Sequence, residues 1–198
     1  HRTMQWSGPP EARIVGFART ARIAGRTPPD EPAETLRARR MAYFRAMADG
    51  PRPGVAVIED MDGESALGAW WGEVHARIHD QVFGLEGAVT NGVMRDLGDM
   101  PGSFPVLAGG VGPSHGFVHV REIGTPVDIL GMTVADGDLI HADRHGAVRI
   151  PGDVLDSLDA ALDTLFASEA LVLGPLAEGP VSFAEFEKLW AAFERART

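Results

Sequence analysis

Apolar residues fall along this chain in two patterns, short continuous runs and helical i, i+3/i+4 stripes, separated by Gly, Pro and Asp. Arg13 to Ile23 reads as a strand whose apolar contacts come from Ile14, Val15, Phe17 and Ile23, with Gly16 marking a bulge or a close approach. The stretch Thr27 to Pro32 stops it. Leu36, Arg40, Met41, Phe44 and Met47 then recur at helical spacing until Asp49-Gly50-Pro51, with Asp30 or Glu31 complementing the positive end of that helix. Val55-Ala56-Val57-Ile58 has the continuous apolar character of a strand covered on both faces. Trp70-Trp71-Gly72-Glu73 leads into a helix ending near Phe83, with Val74, Ile78 and Val82 as its predicted buried stripe and Gly84 as its C-terminal cap. A strand from Gly87 is predicted to turn at Asn91-Gly92 and to deliver Arg95 and Asp96 side by side.

The second half repeats the alternation. Pro105 to Ala108 is a buried-strand candidate, Gly109 to Gly116 a glycine-rich loop, and Phe117 to Val120 a further strand. Short strands at Val127 to Leu130, Leu139 to Ala142 and Ala147 to Ile150 are divided by turns at Gly131, Gly137 and Gly146. Two helices close the chain, one from about Asp153 to Leu173 and one from about Ser182 to Ala196, where Ser182 and Glu185 have capping-box spacing. The order of strands and helices predicts an α/β domain spanning residues 1–198.

Composition supports that picture. A chain of 198 residues with 44% hydrophobic and 23% charged residues can bury a core as one domain. Its net charge of −10 argues against a broad nucleic-acid surface, because phosphates are gripped by Lys and Arg. Arg37, Arg39, Arg40 and Arg45 accordingly read as a solvated helix face. The absence of cysteine removes disulfides, thiolate nucleophiles and Cys-type zinc sites. No apolar run is read as approaching the roughly 20 residues that span a bilayer, so no membrane is expected and the cytoplasm is the expected compartment.

Arg95 and Asp96 are the leading chemical candidates. They follow an apolar strand directly, where ligands gather in α/β proteins, and Asp99 lies one helical turn beyond Asp96. Glu73 sits at a predicted helix start, whose free N–H groups bind anions; on local sequence alone it reads first as a favourable first-turn acid. His75 and His79 have i, i+4 spacing, but the Glu of a zinc-binding His-Glu-x-x-His is absent, so they read as boundary residues. The remaining histidines, among them His115 and His119, are left open between lining a site and packing. Ser114-His115 lacks a nucleophile elbow, and Gly109-Gly110-Val111-Gly112 lacks the Gly-Lys-Ser/Thr ending of a phosphate loop.

Several landmarks together resemble the RraA-like family. Gly16-Phe17-Ala18-Arg19-Thr20 is similar to its early Gly-x-Ala-x-Thr strand, and Trp71-Gly72-Glu73 to its site-entry helix. Gly87 to Asp96 resembles its Gly-x-Val-x-Asp-Gly-x-x-Arg-Asp core, with Asn91 at the aspartate position. Phe104 to Ala108, Ser114-His115, Pro126-Val127 and Asp136 to Pro151 complete a match from about Arg13 to Pro151, followed by C-terminal helices. The resemblance implies a swivelling β/β/α domain, assembly as a homotrimer or hexamer, and kinship with lyases that cleave 4-hydroxy-2-oxo acids to pyruvate and decarboxylate oxaloacetate. It implies Mg²⁺ or Mn²⁺ on Asp96, the keto acid on Arg95, its carboxylate on the amides of Gly72, Glu73 and Val74, and a catalytic water oriented by Glu73. Asn91 and Asp99 would stand behind these groups. The alternative it carries is a non-catalytic regulator that binds an RNA-degrading enzyme. A methyltransferase reading is rejected for want of a glycine-rich loop after a first strand.

Overall fold

The computed structural model describes residues 4–197, which divide into two compact units at Ile150/Pro151. The first unit is built on a sheet whose middle strands are parallel. In chain order its elements are β1 (Gln5–Trp6), β2 (Ile14–Ala24), α1 (Ala33–Ala48), β3 (Gly54–Asp60), β4 (Ala69–Trp71), α2 (Glu73–Gln81) and β5 (Leu85–Met94). There follow β6 (Val106–Val111), β7 (His119–Ile123), β8 (Val127–Ile129), β9 (Met132–Val134), β10 (Leu139–Asp143) and β11 (Gly146–Ile150). The strands run β1-β6-β5-β3-β2-β10-β11, with β4 added on β5 and β7 on β2; β8 and β9 form a separate antiparallel pair. Pairing is parallel through β2, β3, β5 and β6, and antiparallel at β1, β7, β10 and β11.

Alternation along β3 explains the layers. Val55 and Val57 join Ile14, Val89, Leu107 and the β8–β9 residues Val127, Ile129 and Val134 on one face. Ala56 and Ile58 join Tyr43 and Met47 of α1, and Trp70, Trp71 and Ala76, on the other. A central sheet covered by helices on one side and a small β layer on the other is the expected β/β/α arrangement.

Three local expectations are corrected. Asn91-Gly92 does not turn the chain: both residues lie inside β5, where the register against β6 shifts between Thr90 and Val93. Two residues there oppose one, Gly109, and a side chain on Gly109 would meet the Asn91 carbonyl oxygen at 2.1 Å. The supposed loop at Gly109 is therefore strand β6, and its glycine exists to admit a bulge. On α2, Val74 and Val82 are exposed, whereas Ala76, His79 and the following Phe83 are buried, so the inward face is rotated from the expected stripe. Near α1, the helix begins after Pro32 without a side-chain cap, and Glu31 is held instead by Arg39.

The second unit comprises α3 (Leu155–Glu178) and α4 (Phe183–Ala196), the latter opened by the expected Ser182–Glu185 capping box. Residues 152–178 are long and apolar enough, by length and composition, to cross a membrane, which amends the sequence expectation; small residues between its leucines disguise the run.

Candidate functional site

Two strand ends create the site. β4 and β5 run parallel with Trp71 opposite Met94, and the Arg95 N–H donates to the Trp71 carbonyl at 2.9 Å. From these adjacent ends one chain turns through Gly72 into α2 while the other continues as Arg95-Asp96. The Asp96 backbone takes a left-handed conformation, φ 60°, which a non-glycine residue rarely adopts and which aspartate tolerates better than most. That conformation brings the carboxylate back over the start of α2. Asp96 Oδ2 accepts the Glu73 N–H at 3.1 Å, and Oδ1 accepts Arg95 Nη1 at 2.8 Å. Gly72 makes the approach possible: a Cβ there would lie 2.6 Å from Asp96 Oδ2 and 3.1 Å from Arg95 Cγ.

Gly72, the residue before α2, has no side chain to cap it; Asp96 takes the Glu73 N–H alone, and the first i−4 bond is Ala76 N–H to Gly72 C=O. The N–H groups of Val74 and His75 therefore lack acceptors within the helix, leaving donors and the positive dipole end beside Arg95. The Glu73 carboxylate turns to Arg77, 2.8 Å away on the exposed helix surface, so Glu73 meets Asp96 through its backbone alone. Asp99 is exposed in the turn after Asp96, its N–H donating to the Asp96 carbonyl at 3.0 Å. Asn91 lies deeper: its side chain accepts from the Asp60 N–H at 2.6 Å and donates to the Asp60 carbonyl at 2.9 Å, tying β5 to β3 at the bulge. The structure thus brings Gly72, Glu73, Arg95 and Asp96 together, and gives Asn91 a supporting role at a distance.

Beside this cluster lies a cavity of about 480 Å³. Gly72, Val74, His75 and Arg95 form one side of it; Leu36 and Arg40 of α1 and the segment from His115 to His119 form much of the remainder, with Trp70 between. Its lining holds two arginines and three histidines and no carboxylate, in a chain of net charge −10. Burial pushes His75 down to about 4, with the positive charges of Arg40 and Arg95 acting in the same direction. His75 is therefore neutral at pH 7. His79, expected at a boundary, is fully buried; its Nδ1 donates to the His75 carbonyl at 2.6 Å, so its Nε2 accepts from the Tyr43 hydroxyl at 2.7 Å. Arg40 was legible only as one cation among several on α1, and nothing local marked it as a cavity residue.

Among the described residues no group of three or more His, Asp or Glu side chains is arranged to hold a metal ion. Asp96 is the carboxylate that the fold brings to the strand ends.

The family model described as RraA-like, Aldolase/RraA, matches residues 2–149. No curated protein matches the chain. Among solved structures, an uncharacterised protein from Pseudomonas syringae pv. tomato superposes with a TM-score of 0.68 at 20% identity, over 98% of this chain and 79% of the other. RraA from Thermus thermophilis, titled an RNA-processing inhibitor, gives 0.54 at 21% identity over 75% and 82% of the two chains. RraAS2 of Streptomyces coelicolor, titled an unusual member of the RNase ES inhibitor RraA family, gives 0.59 at 23% over 80% and 75%. At these identities the likeness concerns the fold.

Proposed function

This chain belongs to the RraA-like family, which holds both lyases and non-catalytic inhibitors of RNA processing, and we propose that it is a lyase acting on a small 2-oxo acid. The observation that carries this reading is the acid-free cavity, lined by arginines and histidines, beside the Val74 and His75 N–H groups at the start of α2 and the Arg95–Asp96 pair. A small carboxylate suits that cavity because backbone N–H groups and guanidiniums offer it donors, and the neighbouring Asp96 carboxylate engages Arg95 through Nη1 alone.

A divalent ion fits the donors present. Each Asp96 oxygen accepts one hydrogen bond, which leaves lone pairs for a hard cation, and Mg²⁺ is commonly held by one or two carboxylates with water and substrate completing its shell. When bound, Mg²⁺ or Mn²⁺ supplies Lewis-acid polarisation of the keto oxygen. Asp96 is the residue proposed to hold it. The Val74 and His75 amides hold the substrate carboxylate. Arg95 would face the keto oxygen and stabilise the negative charge that gathers there as the C3–C4 bond breaks. Glu73 gives its N–H to fix Asp96, while its carboxylate, turned to Arg77, is left out of the reaction; solvent water accepts the hydroxyl proton of a 4-hydroxy-2-oxo acid and returns a proton to the enolate carbon. Oxaloacetate decarboxylation would use the same charge stabilisation. Assembly as a trimer or paired trimers belongs to the same proposal.

The test is direct. Pyruvate release is followed from 4-hydroxy-4-methyl-2-oxoglutarate and from oxaloacetate with Mg²⁺ or Mn²⁺, with and without chelator. Metal-dependent release that Arg95→Lys abolishes supports the lyase; no release from either acid at any metal concentration refutes it for these substrates.

A further inference from the structure

The cavity has two positive ends, and only one has a role in the reaction above. Arg95 lies with the α2 start, whereas Arg40 belongs to α1 and lines the wall on which Leu36 sits one turn earlier. Arg40 is a different kind of arginine from its neighbour. Arg39 is committed to Glu31 at 2.5 Å and to the Val120 carbonyl at 3.1 Å, and Glu31 is further engaged by Arg121. Arg40 has neither an ion pair nor a hydrogen bond among the described residues, although it faces a cavity with no acid in its lining. Arg40 and Arg95 both line this cavity, and both act electrostatically on His75.

The histidines of the opposite segment do not replace it. His119 is bonded through Nδ1 to the Phe117 carbonyl and His115 through Nδ1 to the Gly116 carbonyl, each at 2.8 Å. In their neutral forms these rings carry the proton on Nδ1 and offer Nε2 only as an acceptor, which a carboxylate cannot use. Arg40 is permanently charged and presents a planar fork of donors. Trp70, Leu36 and Phe117 give the cavity beside it an apolar lining, while Arg40 itself is exposed and free to meet an anion that enters there.

Resting on the keto-acid reading, we infer that Arg40 is a specificity-determining residue: it pairs with a second carboxylate at the distal end of the ligand, so that the cavity selects dicarboxylic over monocarboxylic 2-oxo acids. Arg95 and the α2 amides hold the keto-acid end of either kind, and Arg40 distinguishes them.

Two non-hydroxylated acids of equal chain length test this, 2-oxoglutarate and 2-oxopentanoate, which differ only in the distal carboxylate. Binding to the full chain is measured calorimetrically with Mg²⁺ present and ionic strength fixed. Wild type is expected to bind 2-oxoglutarate at least about 10-fold more tightly, the scale of a charge-assisted hydrogen bond. Arg40→Gln is expected to erase that preference by weakening 2-oxoglutarate alone, while Arg37→Gln, an equal charge change on α1 outside the cavity lining, preserves it. Equal binding of the two acids by wild type overturns the role of Arg40, as does an equal loss of both in Arg40→Gln or an equal effect of Arg37→Gln. If neither acid binds wild type, the keto-acid reading falls with it, an outcome distinct from equal binding.

Discussion

Acid should destabilise the first unit before its carboxylates titrate, because two histidines are buried neutral. Burial pushes His79 down to about 3 and His75 down to about 4, from an ordinary value near 6.5. Both are lower in the folded than in the unfolded chain, so below pH 6.5 the unfolded state binds protons that the folded state refuses. Their stabilising contribution is present above that pH and is lost as pH falls towards the folded values. Each group then costs up to about 1.4 kcal/mol per pH unit, and between pH 7.5 and 5.0 the two together remove about 4 kcal/mol. That is a large fraction of a typical domain stability of about 5–15 kcal/mol. Urea unfolding at several pH values measures it, followed by the emission of buried Trp70 and Trp71 in a Trp190→Phe background that silences the second unit. His79→Phe removes one titrating group and the Tyr43 hydrogen bond; it is less stable at pH 7.5 but should lose only about half as much on acidification. A flat stability between pH 7.5 and 5.0, or an unchanged slope in His79→Phe, would refute the argument.

How far the sequence reaches depends on whether a feature is local. β2, β3 and the α4 capping box are legible because their signals lie within a few residues. Arg95-Asp96 is legible through its motif, and Gly72 through its place at a helix entry. The bulge is not: Asn91-Gly92 looks like a turn until Gly109, on another strand, is known to lie opposite and to give it room. The inward face of α2 is misread for a related reason. Hydropathy favours Val74 and Val82, but the core selects Ala76 for closeness and His79 for the Tyr43 hydroxyl, and Tyr43 is on a different helix. Arg40 fails the same test, since its neighbours in the cavity come from α2, β4 and the segment before β7. Charge pattern along α1 shows four arginines alike; only tertiary pairing separates Arg39, which is spent on Glu31, from Arg40, which is not.

Three further outcomes follow from the site's construction. Gly72→Ala should lower activity by about 10-fold or more, because its Cβ displaces Asp96 Oδ2 or Arg95 by a sizeable fraction of an ångström in a site that depends on position; pyruvate release against a circular-dichroism check of folding measures it. Asn91→Ala should cost about 1–3 kcal/mol in urea unfolding, the scale of unsatisfied buried donors and acceptors on Asp60, with residual activity in the folded fraction. Asp96→Asn separates charge from shape. Asparagine tolerates the left-handed backbone and keeps an oxygen for the Glu73 N–H, so the turn at φ 60° should survive and stability should change by less than about 1 kcal/mol. What it loses is the negative charge that pairs with Arg95 and would bind a divalent ion. If Asp96 holds the metal, this variant should fold as wild type while Mn²⁺ no longer raises pyruvate release and no longer binds in a spin-resonance titration; a folded Asp96→Asn protein that retains both responses would remove Asp96 from the metal site.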